Sequence, residues 1–454
     1  MTEDYDLLVI GAGSGLDVAS AYHSRGKRVA LVEPGPLGGT CLNRGCIPSK
    51  MLIHRADIVE TIKDADRFHI DASVEDISFK DIIDEVNETV GEDAASIEQA
   101  VRESDDYDLY KAKAEFVDEK TVEVDGTRIT ADQVLISAGT RPLIPPVDGL
   151  EDVEYMTSKE ALEREQAPGH MIIIGGGYIA TELAHFYKAM GTDITIIEMS
   201  DVLVGNEDRE ISEKFTEIAR EQFDVHTEMK ATAVDQDGDT FSVTALDTEE
   251  TEHTFDGDAL LVAAGRVPNT DSLNVEAAGV ETDDRGFIET DEKLQTSADG
   301  VYALGDIAGN YMFKHSANLE AQYAMWNMLL DRGEAVDYTA MPHAIFSRPE
   351  VAGVGMTEQQ LEENGRDYRV ARYDYSDTGK GMALKEEDGF VKVLADPETD
   401  EILGCHIMGP HAAKLIHEVL VAMRHGDGTV EEIADTIHIH PALNEVVQRA
   451  FNQL

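Results

Sequence analysis

Two cysteines separated by four residues, Cys41 and Cys46 in Gly38-Gly-Thr-Cys-Leu-Asn-Arg-Gly-Cys-Ile-Pro-Ser-Lys50, are the residues of this chain best suited to chemistry. Cysteines at this separation reach each other if the backbone between them turns, and in a reducing compartment such a disulfide is usually catalytic. By itself the pair speaks for redox or metal chemistry. A structural zinc site needs two more ligands, and the only other cysteine, Cys405, sits far downstream in an apolar strand, so no metal is expected. Cys405 reads as core, since free cysteine is among the most buried residue types. Three cysteines in all exclude a disulfide-stapled secreted scaffold.

A redox pair needs an electron source, and the surrounding elements supply a place for one. The apolar run Tyr5 to Ile10 leads into Gly11-Ala-Gly13-Ser14-Gly15, then a segment of helical spacing to about Ser24, then a strand from Arg28 to Val32 that ends in Glu33. Strand, glycine turn, helix, strand and acid in this order form a dinucleotide-binding unit. The glycines let the backbone approach a pyrophosphate, which sits on the N–H groups of the helix N-terminus, and Glu33 would take a ribose hydroxyl. One departure is Leu16 at the third glycine position, so helix and strand are expected to pack differently there. The same design returns at His170 to Ile174, Gly175-Gly-Gly177-Tyr178-Ile179-Ala180, a helix to about Met190, and the strand Asp193 to Ile197 closed by Glu198. A shorter echo relates Asp132 to Gly139 with Asp258 to Gly265. Two nucleotide-binding modules are expected.

After Gly265 the segment Gly300 to Asp306 reads as a strand returning to the first module. From about residue 335 the strands Gly389 to Leu394 and Ile402 to Met408 precede helices at Ala412 to Met423 and Thr429 to Asp435, which suggests an α+β domain. The expected fold is α/β: two Rossmann-like domains plus a C-terminal α+β domain, with residues 1–147 and 263–335 in the first module, 148–262 in the second and 336–454 in the third. The balance of 91 Asp and Glu against 37 Lys and Arg gives a formal charge of -54, spread along the whole chain. That excess disfavours nucleic acid and anionic membrane as partners, and molar salt would screen its self-repulsion, which points to an extremely halophilic host. No apolar run approaches a membrane span and the N-terminus lacks signal-peptide features, so a cytoplasmic location is expected.

The chain resembles the pyridine nucleotide-disulfide oxidoreductases over nearly all of its length. The most specific parts are the Gly38 to Lys50 stretch, Thr296 to Asp306, and His440-Pro-Ala-Leu-Asn-Glu445. By spacing alone, His440 and Glu445 would pass as ordinary surface residues. The resemblance implies FAD in the first module, with Gly11, Gly13, Ser14 and Gly15 at the pyrophosphate, Glu33 at ribose and Asp306 at the ribityl chain. It also places Gly39, Thr40, Lys50, Ala114, Ala138, Gly139, Thr140 and His315 against FAD. Reduced nicotinamide would bind through Gly175, Gly177, Ile179, Glu198, Gly265 and Arg266, with Tyr178 moving aside. Lys50 and Glu182 would pair beside the reactive flavin nitrogen. Hydride would pass to the flavin, which opens a Cys41–Cys46 disulfide through Cys46 and frees Cys41 as the attacking thiolate. His440, oriented by Glu445, would be the acid and base, completing the partner's site in a homodimer.

Within the family, the Gly-Ser-Gly turn, Tyr311-Met-Phe-Lys-His-Ser-Ala-Asn318 and Gly404-Cys-His-Ile-Met-Gly409 are similar to the mycothione reductase branch. With a haloarchaeal host, bis-γ-glutamylcystine is the leading expected substrate; dihydrolipoyl dehydrogenase, mercuric reductase and a flavin-containing redox sensor are the alternatives. The nicotinamide divides the argument. Glu198 favours NADH by repelling the extra phosphate of NADPH, whereas reductases of small disulfides generally use NADPH, and the functional argument leans to NADPH.

Overall fold

A computed structural model of the chain describes residues 2–454. The chain divides into two compact units. The first runs through residues up to Met51, then Lys80–Leu143 and Gly265–Asp337; the second holds Leu52–Phe79, Ile144–Ala264 and Tyr338–Leu454.

The first unit is built on a seven-stranded sheet. Its parallel part sets Tyr107–Tyr110, Val29–Val32, Thr2–Ile10 and Thr127–Ile136 side by side, and Val301–Ala303 joins along Thr127–Ile136. The return of residues 301–303 to the first module matches the reading from sequence. The antiparallel strands Thr121–Val124 and Ala114–Asp118 extend the other edge. Alternation along Thr2–Ile10 puts Leu7 and Val9 on one face and Leu8 and Ile10 on the other. Leu7 and Val9 pack with Val18, Ala19 and Tyr22 of the helix Gly15–His23 and with Ala321, Ala324 and Met328 of the helix Lys314–Leu330. Leu8 and Ile10 pack with Phe116, Val122 and Ile129. Both faces are covered, which is why this strand reads as one apolar run.

In the second unit the strands Asp224–His226, Asp193–Ile197, His170–Ile174 and Ala259–Val262 form a parallel sheet, followed on by the antiparallel Lys230–Asp237, Thr240–Leu246 and Glu252–Gly257. The same unit contains a five-stranded antiparallel sheet in the order Pro342–Ile345, Val351–Gly355, Ile402–Met408, Phe390–Ala395, Arg369–Asp374. Helices Ala412–His425 and Asn444–Phe451 close over it, burying Leu415, Val419, Val446 and Phe451 with Val393, Cys405 and Ile407. Cys405 is core, as its apolar setting suggests; burial pushes its thiol pKa up and keeps it inert. The helix read as Thr429 to Asp435 is shorter, Val430–Ala434, because Thr429 and Asp435 are its caps.

A buried cation ties two parts of this unit. Lys392, 3% exposed, donates to Asp208 Oδ1 at 2.8 Å and Glu358 Oε2 at 2.5 Å, and Asp208 is fully buried. Asp208 lies at the N-cap of the helix Arg209–Gln222, so the pair links the second nucleotide module to the interior strand Phe390–Ala395.

Candidate active site

The cysteine pair is shaped by the glycine between its members. Cys41 lies in the short helix Gly39–Arg44, and Cys46 opens the helix Cys46–Lys63. Between them Gly45 takes φ −147°, ψ −116°, and a Cβ there would come within 2.9 Å of the Thr40 carbonyl, so the chain can turn only because the residue is glycine. The turn brings the two sulfurs into hydrogen-bonding contact. That shared proton, and then burial, push the Cys41 thiol well up, while the charge of Lys314 pulls it down. Cys46 is the first residue of its helix. Asn43 holds the preceding loop by donating from Nδ2 to the carbonyls of Leu37 and Gly39, each at 2.9 Å.

Each nucleotide module has a cradle of the right form, and the two are built alike. Gly11 and Gly175 adopt φ +99° and +110°, and a Cβ on either would run into a carbonyl of the facing strand end, Ser137 or Ala263. Their amides donate to Val32 and Ile197, both at 2.9 Å. One residue on, the amides of Ala12 and Gly176 donate to Glu33 Oε2 at 2.9 Å and Glu198 Oε2 at 2.6 Å. The second oxygen of each acid takes another amide, Gly35 at 2.8 Å or Ser200 at 2.6 Å. The carboxylates are thus locked beside the turns, as ribose acceptors must be. Around Gly177 a Cβ would meet nothing within 4 Å, which leaves the turn open to a ligand. The residues therefore fit a dinucleotide at each turn. In the first module the close-packing glycine is Gly15, whose Cβ would strike Val9 and Ser137, and this explains how Leu16 is tolerated one residue later.

Other residues singled out in the first unit are held by contacts of their own. Asp306 Oδ2 accepts from Thr140 Oγ1 at 3.0 Å, and Arg266 holds Thr140 through Nε to Oγ1 at 2.7 Å and Nη2 to the carbonyl at 2.8 Å. Arg266 is committed to Thr140 because Arg266–Pro268 pairs antiparallel with Thr140–Pro142. Ala138 accepts from Asn269 Nδ2 at 2.8 Å, and the Asn269 amide donates to Gly139 at 3.1 Å. Ala114 is buried in its strand, and the His315 ring stacks on Phe313. Thr40 lies in the cysteine helix and Lys50 in the helix that follows. In the second unit, Tyr178 and Ile179 open the helix Tyr178–Ala189, and Glu182, buried one turn later, accepts the Phe346 amide at 3.0 Å.

His440 and Glu445 meet directly. Nδ1 lies 3.0 and 3.1 Å from the two carboxylate oxygens; the imidazole is 74% exposed and the carboxylate 8%. Hydrogen bonding to His440 holds the Glu445 carboxyl below the usual range. With Nδ1 turned to Glu445, Nε2 faces outward as a proton donor or acceptor.

Sequence reasoning missed several supports. Glu320, fully buried in the helix Lys314–Leu330, accepts the Gly305 amide at 2.6 Å and so fixes the segment that presents Asp306. An acid amid the apolar positions of a helix was the available signal. Asn269 and Lys314 carry no such signal, since their roles depend on segments distant in sequence.

Residues 5–321 match the model for the pyridine nucleotide-disulphide oxidoreductases, and residues 341–451 match that family's dimerisation domain. The chain belongs to the pyridine nucleotide-disulphide oxidoreductase family. It is a flavoprotein disulfide reductase by descent, and members of this family work with FAD and a reduced nicotinamide. It is 37% identical to mycothione reductase of Mycobacterium tuberculosis, over 99% of each chain. Dihydrolipoyl dehydrogenase of Halobacterium salinarum is 34% identical, over 98% of this chain and 95% of the relative. Mercuric reductase of Staphylococcus aureus is 32% identical, over 95% and 79%. Among solved structures, the HOCl-induced flavoprotein disulfide reductase RclA of Escherichia coli, as its Cu(II) complex, superposes with a TM-score of 0.88 at 27% identity, covering 100% of both chains. Among the described residues no helix is long and apolar enough to cross a membrane.

Proposed function

We propose that this enzyme is a bis-γ-glutamylcystine reductase, splitting a low-molecular-weight disulfide into two thiols at Cys41. The observation that carries the substrate class is the 37% full-length identity to mycothione reductase, against 34% and 33% to dihydrolipoyl dehydrogenases of two haloarchaea. An acidic chain of the kind found in salt-loving cells stands nearer to a small-disulfide reductase than to their lipoamide enzymes. The charge of -54 supports a halophilic, cytoplasmic setting.

FAD bound at the Gly11–Gly15 turn would supply the chemistry of accepting hydride and passing an electron pair to sulfur. The chain's own residues would do the rest. Glu33 and Asp306 would hold the ribose and ribityl hydroxyls of FAD, and Lys50 would serve the ring. The Cys41 thiolate attacks one sulfur of the substrate, and the first thiol leaves with a proton from His440 Nε2. The Cys46 thiolate then attacks Cys41, re-forming their disulfide and releasing the second thiol. Glu445 keeps the proton of His440 on Nδ1 during this exchange. A homodimer, in which His440 and Glu445 complete the partner's site, is supported by the dimerisation-domain match and by Ile437 and Ile439, 96% and 79% exposed just before His440. The three-domain division at residues 147, 262 and 335 belongs to the same reading.

For the nicotinamide, the fixed Glu198 carboxylate supports NADH over NADPH, against the lean that substrate class suggests. Both of its oxygens hold backbone amides, so its charge stays where a 2′-phosphate would lie. Arg209 is occupied by Asp201 and Glu213, at 2.7 and 2.6 Å.

Steady-state turnover in multimolar KCl tests the substrate. Bis-γ-glutamylcystine should be reduced with a higher kcat/KM than lipoamide, and faster lipoamide turnover would sink the assignment. The same assay with NADH against NADPH decides the coenzyme.

A further inference from the structure

Lys314 is the first residue of the helix Lys314–Leu330. Its Nζ donates to Ser14 Oγ at 2.7 Å and to Asn318 Oδ1 at 2.5 Å, and Ser14 Oγ donates in turn to Asn318 Oδ1 at 3.1 Å. Asn318 stands one turn along the same helix, and Ser14 is buried in the glycine turn. The ammonium is therefore clamped, by its own helix on one side and by the turn on the other.

The turn carries this charge towards the cysteines. Gly13, next to Ser14, lies against Gly39 so closely that a Cβ on Gly39 would sit 2.7 Å from Gly13 Cα. Gly39 opens the helix Gly39–Arg44, and Cys41 follows two residues later. Besides the partner's His440 of the proposed dimer, the groups that bear on Cys41 include Cys46, whose hydrogen bond favours its thiol, and Lys314, whose charge favours its thiolate. A fixed cation beside a thiolate stabilises it and raises the fraction able to attack a disulfide.

We propose that Lys314, clamped by Ser14 and Asn318, is the positioning cation of the Cys41 thiolate. This inference rests on Cys41 being the attacking sulfur. Lys314 opposes the hydrogen bond and the burial that hold the proton on Cys41, and so raises the fraction of Cys41 present as thiolate.

The test uses the flavin-loaded enzyme carrying Cys46→Ser, which leaves Cys41 as its accessible thiol because Cys405 is wholly buried. The rate at which iodoacetamide alkylates Cys41, forming the S–C bond and releasing iodide, is followed against pH at one KCl concentration. Adding Lys314→Met should move the midpoint up by about one pH unit, roughly a tenfold slower alkylation below it. Lys314→Arg should bring the midpoint back. Coincident profiles for the Lys314 and Lys314→Met enzymes overturn the proposal, and so does a shift that Lys314→Arg shares. If Lys314→Met fails to retain flavin, Asn318→Ala replaces it: a smaller upward shift supports the clamp, and none overturns it. Alkylation requires neither nicotinamide nor a disulfide substrate, so its outcome is separate from whether bis-γ-glutamylcystine is turned over.

Discussion

Cys41 and Cys46 are chemically alike and differ through their neighbours: one sits inside a short helix, the other at a helix N-terminus. The roles assigned to them predict that Cys41→Ser abolishes disulfide reduction while stopped-flow reduction of the flavin by nicotinamide persists. A flavin-containing sensor would show no disulfide turnover to lose. His440→Gln should lower kcat/KM for the disulfide by about 10²- to 10⁴-fold, the usual range for a lost acid–base group. Glu445 adds a pH dependence whose sign is determined. Its folded pKa lies below the unfolded value of about 4.3, so its stabilising contribution is full above that value and disappears as pH falls through the folded pKa. The difference in unfolding midpoint between the parent and Glu445→Gln should thus be level near neutrality and shrink in acid. A difference that grew in acid would contradict the His440 pairing.

At the scale of elements, the two glycine turns are interchangeable in construction but serve separate units. Gly11→Ala should reduce bound flavin, measured as visible absorbance per chain, because the new Cβ meets the Ser137 carbonyl and φ is +99°. Gly175→Ala should leave flavin content intact and weaken nicotinamide binding, by the same collision with Ala263. The Lys392–Asp208 pair is a buried link of another kind. Lys392→Ala strands the Asp208 charge and should cost about 3–5 kcal/mol in denaturant unfolding, whereas replacing both partners with apolar residues should recover much of it. The turns were readable from sequence because glycine spacing and a terminal acid are local signals. The buried pair was not, because Asp208 and Lys392 are 184 positions apart and look like two more charges in a charged chain.

For the whole molecule, a formal charge of -54 governs solution behaviour more than any single contact. Raising KCl from low to molar concentration shortens the Debye length from about 10 Å to about 3 Å, and the unfolding temperature should rise with it. A flat or falling response would remove the support for a halophilic setting. Sedimentation at high salt should give a dimer, with the exposed Ile437 and Ile439 covered; replacing both by Asp should shift the species towards monomer and lower disulfide turnover.

The sequence by itself determined the chemistry and the class of fold, because both depend on short-range pattern: four residues between cysteines, glycines ahead of helices, acids ending strands, and apolar runs with both faces buried. It also carried His440 and Glu445, through resemblance rather than spacing. Only the tertiary structure decided which groups hold the working residues in place. Arg266 is turned onto Thr140, Glu320 onto the Gly305 amide, and Lys314 onto the Ser14 of a turn 300 positions away. Such contacts join segments far apart in the chain, and their direction is fixed by how the sheets and helices pack, which no local pattern encodes.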